Sequence, residues 1–175
     1  MEQSETSVEP KKPLVGIICG SPNDLKRVGQ AASVLNQLSI PNEIKVLSAH
    51  RTPGLVNEYI ATTQQRGIRV LIACAGLANH LAGTVAAKTL LPVIGVPLNA
   101  GSMGGLDALL STVQMPPGIP VATMGIDAAK NAAYMAARIL SLIDPEISER
   151  LEAELEAQRK QYEELNKTDL AAASS

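Results

Sequence analysis

The run Ile44-Lys45-Val46-Leu47-Ser48-Ala49-His50-Arg51-Thr52-Pro53 sets a short apolar stretch directly before a hydroxyl, an imidazole and a guanidinium. A helical pattern opens at Pro53, where the missing N–H of proline leaves no helical hydrogen bond unmade. Strand, polar turn, helix is the order of a βα unit, and it points the polar groups out of the carboxyl end of the strand. In an open α/β sheet, ligands bind in the crevice beyond those ends. His50 is therefore a candidate for proton transfer, and Ser48 and Arg51 for holding an anion.

Working outward, the same unit recurs. Leu14 to Cys19 is a continuous apolar run, as expected of a strand buried on both faces. The loop Gly20-Ser21-Pro22-Asn23-Asp24 follows it. Leu25, Val28, Ala31, Ala32, Leu35 and Leu38 then fall three and four apart, the spacing of an amphipathic helix. Asn23 or Asp24 is the natural N-cap. After Pro41 a second strand covers about Glu43 to Ser48, and a helix covers Pro53 to Gln65 with Gly67 as its stop. Later units pair Val70–Cys74 with a helix over Leu81–Thr89, Pro92–Pro97 with Leu106–Val113, and Val121–Gly125 with Ala128–Leu142. Strands alternating with helices at this spacing give a parallel sheet with helices on both faces. The expected fold is a three-layer α/β/α flavodoxin-like domain over 14–143. A polar helix over 144–167 follows, with Ile147, Leu151, Leu155, Tyr162 and Leu165 on one side. So thin a stripe is expected to pack on another subunit rather than on its own domain. Residues 1–13 and 168–175 are expected to be disordered ends.

Composition narrows the function. Of 175 residues, 46% are hydrophobic but only 2% aromatic, with no Trp and no Phe, so the core is aliphatic and stacking platforms for bases are lacking. A net charge of −2 without a basic block argues against a nucleic-acid partner. No stretch is long and apolar enough for a membrane span or a secretory signal, so a cytoplasmic location is expected. Cys19 and Cys74 lie inside apolar runs and read as buried free thiols, and no spacing resembles a metal site.

Three loops should meet at one edge of the sheet: Gly20–Asp24, Ser48–Arg51 and Ala75–Gly83. The Gly-rich Asn99–Gly105 could close over a ligand. The first loop opens a helix, whose free N–H groups favour an anion; Ser21 could add a hydroxyl donor and Asp24 an acceptor for a sugar hydroxyl, although a simple helix cap explains the motif as well. It is neither a Gly-x-Gly-x-x-Gly fingerprint nor a P-loop. His80 could equally donate to a backbone carbonyl or touch a ligand. Gly76 and Gly83 mark close approach of the backbone to something.

At these residues the chain resembles the purine-biosynthetic 5-(carboxyamino)imidazole ribonucleotide mutases and their relatives, the aminoimidazole ribonucleotide carboxylases. The resemblance runs from about Leu14 to Leu142. It is carried by Gly20-Ser21-x-x-Asp24, Ser48-Ala49-His50-Arg51-Thr52-Pro53, Pro92–Pro97, Leu109–Pro116, Gly118–Thr123 and Asn131–Ala133. It implies a mutase that moves a carboxyl group from the exocyclic nitrogen of an imidazole ribonucleotide to ring carbon C4, through CO2 and without a cofactor. It also implies Ser21 and Asp24 as substrate contacts, Ser48 and Arg51 as phosphate contacts, His50 as general acid/base, Gly76 and His80 as further substrate-binding positions, and a homo-octamer. The third loop, Ala73-Cys74-Ala75-Gly76-Leu77-Ala78-Asn79-His80-Leu81-Ala82-Gly83, departs from the mutase pattern. Two glycines and a proline are replaced, and Asn79 is similar to the carboxylase branch, whereas Arg51 and His80 are mutase-like. A carboxylase using free CO2 and a non-catalytic nucleotide-binding paralogue are the alternatives.

Overall fold

A computed structural model describes residues 12–173, with side chains through Lys167. Its strands are β1 (Val15–Cys19), β2 (Asn42–Val46), β3 (Val70–Gly76), β4 (Val93–Leu98) and β5 (Ala122–Thr123). All pair in parallel, in the order β2-β1-β3-β4-β5. This is the flavodoxin-like winding, in which the chain reverses direction across the sheet beside β1. Helices α1 (Leu25–Gln37), α2 (Pro53–Thr63), α3 (Leu81–Ala86) and α4 (Leu106–Val113) connect the strands, α5 (Ala129–Ser141) follows β5 and packs back on the sheet, and α6 (Pro145–Ala173) comes last.

The central strands are apolar on both faces because both faces are covered. Val15, Ile17 and Cys19 of β1, Val70, Ile72 and Cys74 of β3, and Ile94, Val96 and Leu98 of β4 pack toward α1 and α5. The alternate residues Ile18, Leu71, Ala73 and Val93 pack toward α2 and α3. On the first face, α5 presents the fully buried Ala129, Ala132, Ala133, Ala136 and Ala137. Side chains that small let α1 and α5 lie close together, which answers the shortage of aromatic filling.

The polar helix divides its stripe. Ile147 and Leu151 are buried in the α1–α5 layer. Arg150 Nε donates to Leu38 O at 2.8 Å, and Gln158 Nε2 donates to Tyr134 OH at 2.8 Å. Leu155, Tyr162 and Leu165 stay exposed. The first turns of α6 thus dock on their own domain, and the distal turns project an apolar stripe. The expected disordered end overlaps α6, which runs to Ala173; residues 174–175 and the expected tail through residue 11 lie outside the described residues. Among the described residues, no helix is long and apolar enough to cross a membrane.

Candidate active site

The turns after β1, β2, β3 and β4 meet at the carboxyl edge of the sheet and enclose a cleft of about 690 Å³. Ser21, Asp24, Ser48, His50, Arg51, Gly76 and His80 all line it, together with Arg27 and Asn99. A second cleft, of about 910 Å³, opens at the amino ends of β4 and β5. Lys88 is its one charged lining residue, and it has neither imidazole nor carboxylate. The smaller cleft, with both kinds of group, is the candidate for chemistry.

The first turn is built by Ser21. Its side-chain oxygen accepts from Asn23 N at 3.3 Å, capping a 3-10 turn over Pro22–Asp24 that leads into α1. That leaves its hydroxyl hydrogen free to donate into the cleft. Asp24 is buried at the head of α1. Burial pushes its carboxyl above the ordinary value; the Arg27 and then the Arg51 guanidinium oppose the shift, and Asp127 adds to it.

The second turn is closed by its own hydroxyls. Thr52 Oγ1 accepts from Ser48 N at 2.9 Å, and Ser48 Oγ accepts from Arg51 N at 3.2 Å and from Arg51 Nε at 3.3 Å. Arg51 Nη2 donates to Gly20 O, which ties the second turn to the first. The fork of the guanidinium is thereby aimed, with further N–H groups left for an anion.

His50 projects from this turn and meets His80 of the third. His50 Nε2 and His80 Nδ1 are 2.8 Å apart, with ring centroids at 4.9 Å and planes at 73°. One of those nitrogens carries the shared hydrogen and the other accepts it. His80 thus has an imidazole partner, where the sequence left a backbone carbonyl and a ligand as equal readings. Gly76 is needed because a Cβ there would collide with Ala100 Cβ and lie 3.1 Å from Leu98 O. At Gly83, the close neighbour is Met115 Sδ, 3.0 Å from where a Cβ would lie.

Two features escaped the sequence. Arg27 lines the cleft from α1 and forms an ion pair with Asp127 at 3.5 Å, while Asp127 Oδ1 also accepts from Asn99 N at 3.0 Å. Arg27 follows Asp24 by one helical turn, a usable signal. Asp127 comes from the distant turn before α5, with a left-handed backbone at φ 56°, and had none. The second feature is Asn79. It is fully buried and donates from Nδ2 to Thr112 Oγ1 at 2.9 Å, so its side chain faces α4 and not the cleft. Cys19 and Cys74 are free and buried, as expected, and are register partners on β1 and β3. Burial, with the nearby Asp24 charge, pushes the Cys19 thiol up to about 11, and burial raises Cys74 too; neither is a nucleophile at neutral pH.

The chain matches the model of a family described as AIR carboxylase over residues 14–161. It is 58% identical over 139 residues to the N5-carboxyaminoimidazole ribonucleotide mutase of Pyrococcus abyssi, covering 79% of this chain and 80% of that protein. Its identity to the Bacillus subtilis protein of the same name is 51% over 143 residues, covering 81% and 88%. The phosphoribosylaminoimidazole carboxylase of Schizosaccharomyces pombe is 47% identical over 143 residues, which are 82% of this chain but 26% of that protein. Among solved structures, Treponema denticola PurE superposes with a TM-score of 0.80 at 33% identity, covering 87% of this chain and 95% of the other. With this much of its length matched at these identities, the chain belongs to the AIR carboxylase family, as an enzyme of its mutase kind, an isomerase.

Proposed function

We propose that the protein interconverts 5-carboxyaminoimidazole ribonucleotide and 4-carboxy-5-aminoimidazole ribonucleotide in purine biosynthesis, with His50 as general acid/base. The observation that carries this reading is the coexistence in one cleft of a paired imidazole and an aimed guanidinium. His50 and His80 share a hydrogen at 2.8 Å, and Arg51 Nε donates to Ser48 Oγ at 3.3 Å in the same turn that carries His50. Ser48 and Arg51 hold the 5′-phosphate, and Ser21, Asp24 and the Gly76 backbone hold the ribose and base.

The chemistry asks little else of the site. The N–C bond of the carbamate breaks, CO2 is released, and the nitrogen takes up a proton. The enamine carbon C4 then attacks the trapped CO2, and the C4 proton leaves to restore the aromatic ring. One proton is delivered and one recovered, so a single shuttle serves both halves, provided that the cleft keeps CO2 in and water out. The family resemblance also supports a homo-octamer, and the apolar side chains exposed on distal α6 are consistent with subunit packing.

The test is turnover of the carbamate ribonucleotide in buffer stripped of bicarbonate. Conversion to the C4-carboxylate supports the mutase; a rate that follows dissolved CO2 with aminoimidazole ribonucleotide, and an inert carbamate, supports the carboxylase instead. His50→Asn is expected to bind the ribonucleotide while losing about 10²- to 10⁴-fold in kcat. Near-parental turnover would remove His50 from its role.

A further inference from the structure

Four polar side chains are buried among the described residues: Asp24, Thr63, Asn79 and Thr112. Asp24 lines the cleft, and the Thr63 hydroxyl donates within its own helix to Ile60 O at 2.8 Å. Asn79 and Thr112 differ, because they bond across elements. Asn79 Nδ2 donates to Thr112 Oγ1 at 2.9 Å, and that hydroxyl donates on to Ala108 O at 2.7 Å. Both side chains are fully enclosed, and Asn79 Oδ1 has no partner. A buried carboxamide with an orphaned acceptor is a poor source of stability compared with an apolar side chain of similar size. What the pair adds is placement.

Asn79 immediately precedes His80, at the entrance to α3. The backbone around His80 is already tied, since His80 N donates to Ala78 O at 2.8 Å and Thr84 N donates to His80 O at 2.9 Å. Thr112 is seated against the sheet, because Gly95 of β4 has no side chain where Thr112 Cγ2 lies. A bond from this seated residue to Asn79 therefore fixes the height of the third turn above the sheet. That height decides whether His80 Nδ1 reaches His50 Nε2, which is 2.8 Å away.

We propose that Asn79 and Thr112 are positioning residues: their buried hydrogen bond holds His80 against His50 and thereby fixes the orientation and tautomer of the His50 ring. The proposal rests on the reading of His50 as the acid/base. Neither residue touches the reacting atoms; both act through His80.

The test uses full-length protein labelled with ¹⁵N and compares Thr112→Val, which removes the hydroxyl at nearly constant shape, with Thr112→Ser, which keeps it. Imidazole ¹⁵N–¹H correlations report the tautomers of His50 and His80, and steady-state kinetics separate kcat from KM. In the parent, His50 should show a single tautomer. Thr112→Val should mix tautomers and lower kcat about tenfold to a hundredfold with KM within about threefold, and Thr112→Ser should recover kcat to within about threefold. A folded Thr112→Val with parental kcat and tautomer overturns the proposal, as does a loss in Thr112→Ser equal to that in Thr112→Val. Should Thr112→Val fail to fold, Asn79→Ala takes its place: parental kcat with a single His50 tautomer in that variant overturns the proposal, as do averaged tautomers in the parent, and mixed tautomers with lowered kcat uphold it. The underlying reading fails separately, through parental turnover in His50→Asn, whatever the Thr112 spectra show.

Discussion

Asp24 is buried at the head of α1 and lines the cleft, and no hydrogen bond among the described residues fixes its carboxyl oxygens. Burial raises its pKa despite the opposing charges of Arg27 and Arg51. The native state therefore holds this proton more tightly than the unfolded chain, whose aspartates titrate near pH ~3.9. The stability Asp24 contributes is fully present below that pH and is lost as pH rises through the higher native value. Wherever it is ionised, the carboxylate is thus a local liability, and the proposed substrate contact is what would offset it. Asp24→Asn should accordingly raise Tm at pH 7, by a margin that shrinks toward pH ~4, while KM for the ribonucleotide rises. A variant that melts below the parent at pH 7 would contradict this account. At this scale the sequence was informative wherever local order decides placement. Ser21, Asp24, Ser48, His50 and Arg51 all follow strands, and all reach the cleft. It gave no placement for Asn79, a polar loop residue beside a histidine that tertiary packing turns inward, and it was silent on Asp127.

At the scale of elements, the strands and helices fall close to where the apolar periodicity puts them, because each central strand is buried on both faces and each helix on one. The exceptions lie where that pattern fades. The fifth strand shrinks from the expected Val121–Gly125 to Ala122–Thr123, at the open edge of the sheet. The third helix stops at Ala86 rather than Thr89. The cleft depends on how closely such elements approach, and two glycines make this measurable. Gly76 ends β3 against the turn that follows β4, where an added Cβ would collide with Ala100 Cβ. Gly29 lies inside α1 with open space around its Cβ position. Gly76→Ala should cost ~1–3 kcal/mol by forcing backbone apart, with a fall in kcat/KM as the cleft widens. Gly29→Ala should gain up to ~1 kcal/mol from helix propensity alone. Denaturant titration of both variants, with activity assays in parallel, checks the contrast; equal effects at the two sites would show that close approach at Gly76 does not shape the cleft.

For the whole molecule, the question is what the distal half of α6 does. The sheet, helices α1 to α5 and the first turns of α6 already close a core, since Ile147 and Leu151 join the α1–α5 layer. The Gln158 amide reaches Tyr134 OH and ties this part of α6 to α5. Tyr162 is 70% exposed and Leu165 54% exposed, on the same side of the helix as Leu155. A projecting helix that keeps an apolar stripe in water is poorly accounted for by a lone subunit and well accounted for by burial on another copy. Leu142 and Ile143 are also exposed, at the turn into α6. A chain ending at Gln158 keeps the docking contacts of Ile147, Arg150, Leu151 and Gln158 and loses Tyr162 and Leu165 of the stripe. It should therefore retain the parental circular dichroism spectrum and ribonucleotide binding, and sediment as a smaller species than the full chain at equal concentration. Sedimentation velocity on the two proteins tests this, and the same number of subunits in both would overturn the reading that distal α6 packs on another copy.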